Sequence, residues 1–183
     1  DVASNKNWSG VYAMGGYAIG GDNPHYYGIR RYPYSKDLKK NPLTFKHISD
    51  DSTLPTDPPP AFNSQNSEVH NTGSVWCTML WECYASLLRD RGLPFDQARG
   101  RMRDYLIAAY KMTPMNPTIT EARDALLAVA FANDPQDHAL FCAAFAKRGC
   151  GSGAVSPPRY SNDNNGVVES YQCGGALQFG VEL

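Results

Sequence analysis

A mainly α fold is what this sequence predicts, a bundle of four or more helices behind a long irregular segment. Three observations predict it. The first 66 residues of the 183-residue chain are rich in Gly, Pro and Tyr and sustain neither a helical nor an alternating period. From Ser67 apolar residues recur at steps of three and four. Helix start and stop signals then follow one another at short intervals up to Gly149. The expected division is a loop-rich segment over 1–66 that forms part of a cleft, a helical bundle over 67–150, and an irregular tail over 151–183.

In the first segment only Val11–Ile19 carries enough pattern for a short helix. The run Tyr26-Tyr27-Gly28-Ile29-Arg30-Arg31-Tyr32-Pro33-Tyr34-Ser35 and the triplet Pro58-Pro59-Pro60 favour extended or turn backbone. An irregular stretch this long within one domain is unusual and often functional. The first long helix starts at Ser67 as cap and carries Val69, Trp76, Met79, Leu80, Cys83, Tyr84, Leu87 and Leu88 until Arg91-Gly92 stops it. Val75 and Trp81 widen its apolar stripe, which places it at the centre of the bundle. A second helix spans Asp96 to Met112 on the stripe Met102, Tyr105, Leu106, Ala109 and Tyr110. The third opens on a capping box of Thr118 and Glu121 and runs through Ala122, Ala125, Leu126 and Val129. The fourth has Asp134 as cap and Pro135 at its first position, carries Leu140, Phe141, Ala144 and Phe145, and ends at Arg148-Gly149. Short connections make an antiparallel bundle the expected packing.

The 17 basic and 18 acidic residues balance to a net charge of −1, so there is no electrostatic footprint for nucleic acid and no polybasic patch for a membrane. No apolar run reaches the roughly 18 to 20 residues that cross a bilayer. A start at Asp1 without Met reads as a cut or processed end. Five cysteines are an odd number, so at least one thiol is free. Cys77 and Cys83 are separated by about 9 Å of helix, beyond the reach of a disulfide. A bridge, if formed, joins Cys173 to Cys142 or Cys150. Asn7-Trp8-Ser9 fits a glycosylation triplet, a pattern that chance supplies often.

Four histidines, His25, His47, His70 and His138, are scattered with no His-Glu-x-x-His among them, which leaves a zinc site built from this chain alone unsupported. Asp50, Asp51 and Glu68 read as solvated loop carboxylates. Gly15-Gly16 and Gly20-Gly21 lack the lysine spacing of a phosphate loop. His70 and Cys77 share a helix face, but about 10 Å of axial rise separates them where a base needs roughly 3 Å. Cys77 is therefore read as a small core residue. His70 falls in the first turn of the central helix, where backbone N–H groups favour a neighbouring anion. That is a place to hold a developing oxyanion, although a capping histidine and a solvated Arg30 are the commoner readings of the residues alone.

The pattern around both residues changes that balance. Gly28-Ile29-Arg30-Arg31-Tyr32-Pro33-Tyr34-Ser35, Asn41-Pro42-Leu43-Thr44-Phe45 and Glu68-Val69-His70-Asn71-Thr72-Gly73-Ser74-Val75-Trp76 resemble, in order and spacing, the catalytic half of fungalysin-like secreted metallopeptidases. Pro114-Met115-Asn116-Pro117-Thr118, Ala122-Arg123-Asp124-Ala125 and Ala144-Phe145-Ala146-Lys147-Arg148-Gly149 are similar to the family's later helices. The resemblance covers most of residues 8 to 155. It implies a fold like the C-terminal lobe of thermolysin-type peptidases and an extracellular protein.

The resemblance further implies a zinc-activated water between two lobes and a glutamate as general base. His70 and Arg30 are then the catalytic residues of this lobe. His70 donates to the oxyanion of the tetrahedral intermediate, Arg30 supports the same oxygen or the substrate carbonyl, and Ile29 lines the pocket for the residue after the scissile bond. Each such donor is worth roughly 3 to 4 kcal/mol. Zinc belongs to the complete enzyme and none is expected on this chain alone, because the family's ligands and base lie upstream of the matched region. The implied partners are therefore the missing N-terminal zinc-binding lobe and a peptide or protein substrate. The sequence before Asp1 is expected to carry His-Glu-x-x-His and a third-ligand Glu, and hydrolysis by these residues alone is not expected. Where the family orients its histidine with an acidic residue five positions earlier, this chain has Gln65, leaving Glu68 or Asn66 as substitutes. The alternative is a non-catalytic peptide-binding or inhibitory helical module, against which the retention of both Arg30 and His70 argues.

Overall fold

A computed structural model describes residue 7 and residues 9–19, 23–55 and 65–174. Among the described residues five α-helices follow in order: α1 (Pro24–Tyr27), α2 (Val69–Arg89), α3 (Phe95–Met112), α4 (Ile119–Asn133) and α5 (Pro135–Lys147). Among the described residues extended pairing is limited to isolated bridges, so the fold is mainly α as the periodicity predicts. Gly20-Gly21, Pro58-Pro59-Pro60 and Trp8 lie outside the described residues.

The caps explain where the helices begin. α2 starts from Glu68 rather than Ser67, because the Glu68 carboxylate accepts from the backbone N–H of His70 and Asn71. Ser67 is drawn away instead, its N–H and hydroxyl both donating to Asp50 at 2.9 and 2.8 Å. α3 begins one residue before the expected Asp96, after Pro94. α4 and α5 open on Thr118 with Glu121, and on Asp134 with Pro135, as the sequence predicts. The expected helix over Val11–Ile19 is only a 3-10 turn at Gly16–Ala18. Its neighbours are committed elsewhere, Tyr12 pairing with Tyr34 and Met14 with Gly28. Gly28 is required there: at φ 60, a Cβ would lie 2.1 Å from Met14 O.

α2 packs against both α3 and α5, and α4 against α3 and α5, so the four long helices close a ring around one core. Val75, Met79, Cys83 and Leu87 line the inner face of α2 opposite Leu126, Phe141 and Phe145, all essentially without exposure. Full burial of such a side chain contributes about 1.5–3 kcal/mol. Trp76 stacks on Phe145 at 5.8 Å, which fixes α2 on α5. A buried polar link adds to this: Asp137 accepts from Arg101 at 2.8 Å and from the Tyr105 hydroxyl at 2.9 Å, joining α3 to α5.

The irregular segment before α2 is held by hydrogen bonds rather than by its own secondary structure. Buried carbonyls need donors, and the fully enclosed Arg148 supplies them to Ser35, Asn41 and Leu43 at 2.7, 2.6 and 3.0 Å. Tyr12 and Tyr34 pack on Trp81 of α2, with ring centres 4.9 and 6.3 Å away. The described part of the tail pairs back through Gly151 with Ser170 and Val155 with Val168. Of the two bridges open to Cys173, the one to Cys142 is formed.

Candidate functional site

His70 stands in the first turn of α2 with 69 % of its side chain exposed. Glu68 serves it and the helix together. One carboxylate oxygen accepts from His70 N at 2.9 Å and Asn71 N at 3.2 Å, and the other lies 2.7 Å from His70 Nδ1. The hydrogen bond from His70 is the first cause that holds the Glu68 carboxyl below its usual range, so an anion faces Nδ1. An anion accepts and does not donate, which assigns the proton to Nδ1. The ring is thus anchored by one nitrogen while Nε2 points away from its anchor.

Arg30 stands in the turn after α1, its Nη1 donating to the Ile29 carbonyl at 3.2 Å. It also lies beside Tyr34, whose phenol is pushed up to about 12 by burial first, with Cys77 adding to the rise and Arg30 opposing it. Arg30 and Tyr34 therefore abut α2 near Cys77, two turns below His70 on the same face. An axial rise of about 10 Å separates those levels. Ile29 rests on Gly15, where a Cβ would stand 3.3 Å from its side-chain carbons.

Of the two candidates for orienting His70, Glu68 touches the ring and Asn66 is engaged elsewhere. Asn66 is buried, with Oδ1 accepting from Arg31 at 2.7 Å and Nδ2 donating to the carbonyls of Ser49 and Ser52 at 2.7 and 2.6 Å. The reading of Asn66 as a substitute partner is corrected by these bonds, since its amide is turned to Arg31, Ser49 and Ser52 while Glu68 meets the ring. Sequence reasoning passed over Arg31, and Asp50, expected as a solvated loop carboxylate, instead accepts from both the N–H and the hydroxyl of Ser67. The adjacent Arg-Arg pair was the available signal.

Comparison with known proteins follows the same residues. The family profile for fungalysin metallopeptidase matches residues 2–154. The chain belongs to the fungalysin metallopeptidase family. It is 30 % identical to "Extracellular metalloproteinase 5" of Arthroderma gypseum over 79 % of this chain and 22 % of that protein. It is 33 % identical to "Extracellular metalloproteinase 10" of Coccidioides posadasii, over 84 % of this chain and 23 % of the relative. With "Extracellular metalloproteinase MEP" of Neosartorya fischeri the identity is 34 % over 84 % and 22 %. The chain thus spans less than a quarter of the length of these fungalysin relatives.

Membership of a metallopeptidase family implies a metal, and the donors in this part of the fungalysin fold do not fit one. Among the described residues no three of His, Cys, Asp and Glu converge. His47 is enclosed with Nδ1 accepting from Thr44 N at 2.8 Å, and His138 packs edge-on against Phe131. A groove of about 570 Å³ between α3 and α4, lined among others by Arg101, Asp104, Asn133 and Asp134, shares no residue with the His70 site.

Proposed function

We propose that this chain is the C-terminal lobe of a secreted zinc metalloendopeptidase and that His70 and Arg30 stabilise the oxyanion formed when a peptide bond is attacked. The observation that carries the reading is the anchored, outward-facing ring. Glu68 holds Nδ1, so Nε2, when protonated, is a donor with its direction already set. Donors placed before the charge develops cost no reorganisation as it forms, which is why they lower the barrier. Arg30 adds a permanent charge on the same face of α2, about 10 Å of axial rise from the level of His70. Ile29, next to it, offers apolar surface for the side chain that follows the scissile bond. The extracellular naming of the fungal relatives supports secretion. The metal and the general base belong, on this reading, to an N-terminal lobe outside these residues.

The test is turnover of a peptide substrate by the complete protein, this lobe joined to its zinc-binding half. His70→Ala is expected to lower kcat by about 10²–10³ with little change in KM. Zinc measured on the isolated chain is expected to stay well below one per molecule. One tightly held zinc per isolated chain, or full turnover by His70→Ala, would overturn the assignment. Peptide binding by the complete protein without turnover would instead mark a non-catalytic binding module.

A further inference from the structure

Arg30 and Arg31 leave the same turn with opposite fates. Arg30 remains only half-buried, whereas Arg31 is 1 % exposed. A guanidinium in that position is costly to desolvate, and burial does push its pKa down, opposed by Tyr32, Glu68 and Asp50. Its bonding does not neutralise it: Nη1 donates to Asn66 Oδ1 at 2.7 Å, and the enclosed Nη2 has no hydrogen-bond partner. A buried charge so sparsely satisfied calls for a reason beyond packing.

The reason lies in what Asn66 holds. Its Nδ2 donates to Ser49 O and Ser52 O, and its own carbonyl accepts from Thr72 Oγ1 at 3.1 Å. The next residue, Ser67, is pinned by Asp50, and the residue after that is Glu68. The two residues before Glu68 are thus fixed from outside α2, Asn66 by Arg31, Ser49 and Ser52 and Ser67 by Asp50. Glu68 needs this, since its two oxygens meet the helix N–H groups and Nδ1 together only from an extended N-cap backbone, observed at φ −56 and ψ 135.

We propose that Arg31 is a positioning residue for His70, acting through Asn66 to fix the turn that presents the Glu68 carboxylate to Nδ1. Nε2 is thereby the nitrogen left to face a substrate. The inference rests on the reading of His70 as an oxyanion donor and deepens it. Arg31 touches no substrate. In the neutral ring it fixes the proton on Nδ1, and in the imidazolium, the form that donates from Nε2, it fixes the direction of that donor.

The experiment reads the tautomer directly, by long-range ¹H–¹⁵N spectra of the His-labelled chain in mildly alkaline buffer. In the unaltered chain the majority tautomer is expected to be Nδ1–H. Arg31→Met and Asn66→Ala are each expected to switch the majority to Nε2–H while helical circular dichroism is unchanged. Because the two residues act in series, the double variant should change no more than either single one. A folded Asn66→Ala chain that keeps Nδ1–H overturns the proposal even if Arg31→Met fails to fold, and so do effects that simply add. Glu68→Ala separates the levels: if it switches the tautomer and Arg31→Met does not, the role of Arg31 alone is lost. Full turnover by His70→Ala in the complete protein would remove the oxyanion reading instead, leaving the tautomer result standing.

Discussion

Arg148 Nη2 lies 2.6 Å from Glu82 Oε1, with 0 % and 5 % of the two side chains exposed. The pair joins the end of α5 to the middle of α2, and the same guanidinium satisfies the carbonyls of Ser35, Asn41 and Leu43. Arg148→Met leaves those carbonyls without their donor and the Glu82 carboxylate with Lys147 Nζ alone, at 2.7 Å. Removing one partner of a buried pair costs about 3–5 kcal/mol, so urea unfolding should show a loss of that size. Amide exchange should rise first across residues 35–45. An unchanged midpoint would show that the irregular segment is held by something other than Arg148.

The Glu68 contact makes the candidate site sensitive to acid. Its folded carboxyl titrates below the unfolded value of 4.5, so the contribution is complete above that value. It fades as pH falls through the folded value. Below the carboxylate range the first turn of α2 should therefore exchange its amide protons faster while the centre of the helix stays protected. Glu68→Gln should remove this pH dependence. A first turn equally protected at neutral and acidic pH would argue against the capping carboxylate.

His47 makes stability rise with pH. The ring is enclosed, and burial first, with Lys46 adding, lowers its pKa from 6.5 to about 4. Between those values the unfolded chain binds a proton that the folded chain refuses, so stability is lost as pH falls from 6.5 toward 4. The loss is expected on the order of 2 kcal/mol after allowance for solvent screening. His47→Asn, which can still accept from Thr44 N, should flatten the slope. A wild-type midpoint constant across that window would contradict the assignment.

The cysteines divide by burial. Cys142–Cys173 closes a loop with a separation of 31 residues, and breaking such a loop costs about 3–4 kcal/mol on the chain-entropy account. Cys142→Ser should lower the unfolding midpoint accordingly. Of the three free thiols, Cys83 and Cys150 are buried and burial raises both pKa values, whereas Cys77 is partly exposed. Thiol titration of the native chain should find one reactive group, rising to three on unfolding of the unreduced chain.

Helix existence, the caps of α4 and α5, and most of the apolar faces were legible in the chain because those signals are local, although Val69 and Tyr110 of the expected stripes are exposed. A 3.6-residue period and a Thr-x-x-Glu box act within one or two turns, and no distant contact overrides them here. The candidate histidine was legible because its place in a helix's first turn, and the motif around it, lie within a few residues. What sequence reading could not reach were partnerships between distant segments. Val11–Ile19 pairs with residues 28 and 34 instead of coiling, and Ser67 yields the cap to Glu68 because Asp50 claims it. The choice of Cys142 over Cys150, the inward turn of Arg31, and its bond to an asparagine 35 residues away are of the same kind. By itself, the sequence determined the four long helices, most of their apolar faces and the position of His70, since these follow from covalent spacing and backbone propensity. Only the tertiary structure decided which polar groups were buried together, because a side chain's partner is set by desolvation and by what the folded chain brings within hydrogen-bond reach.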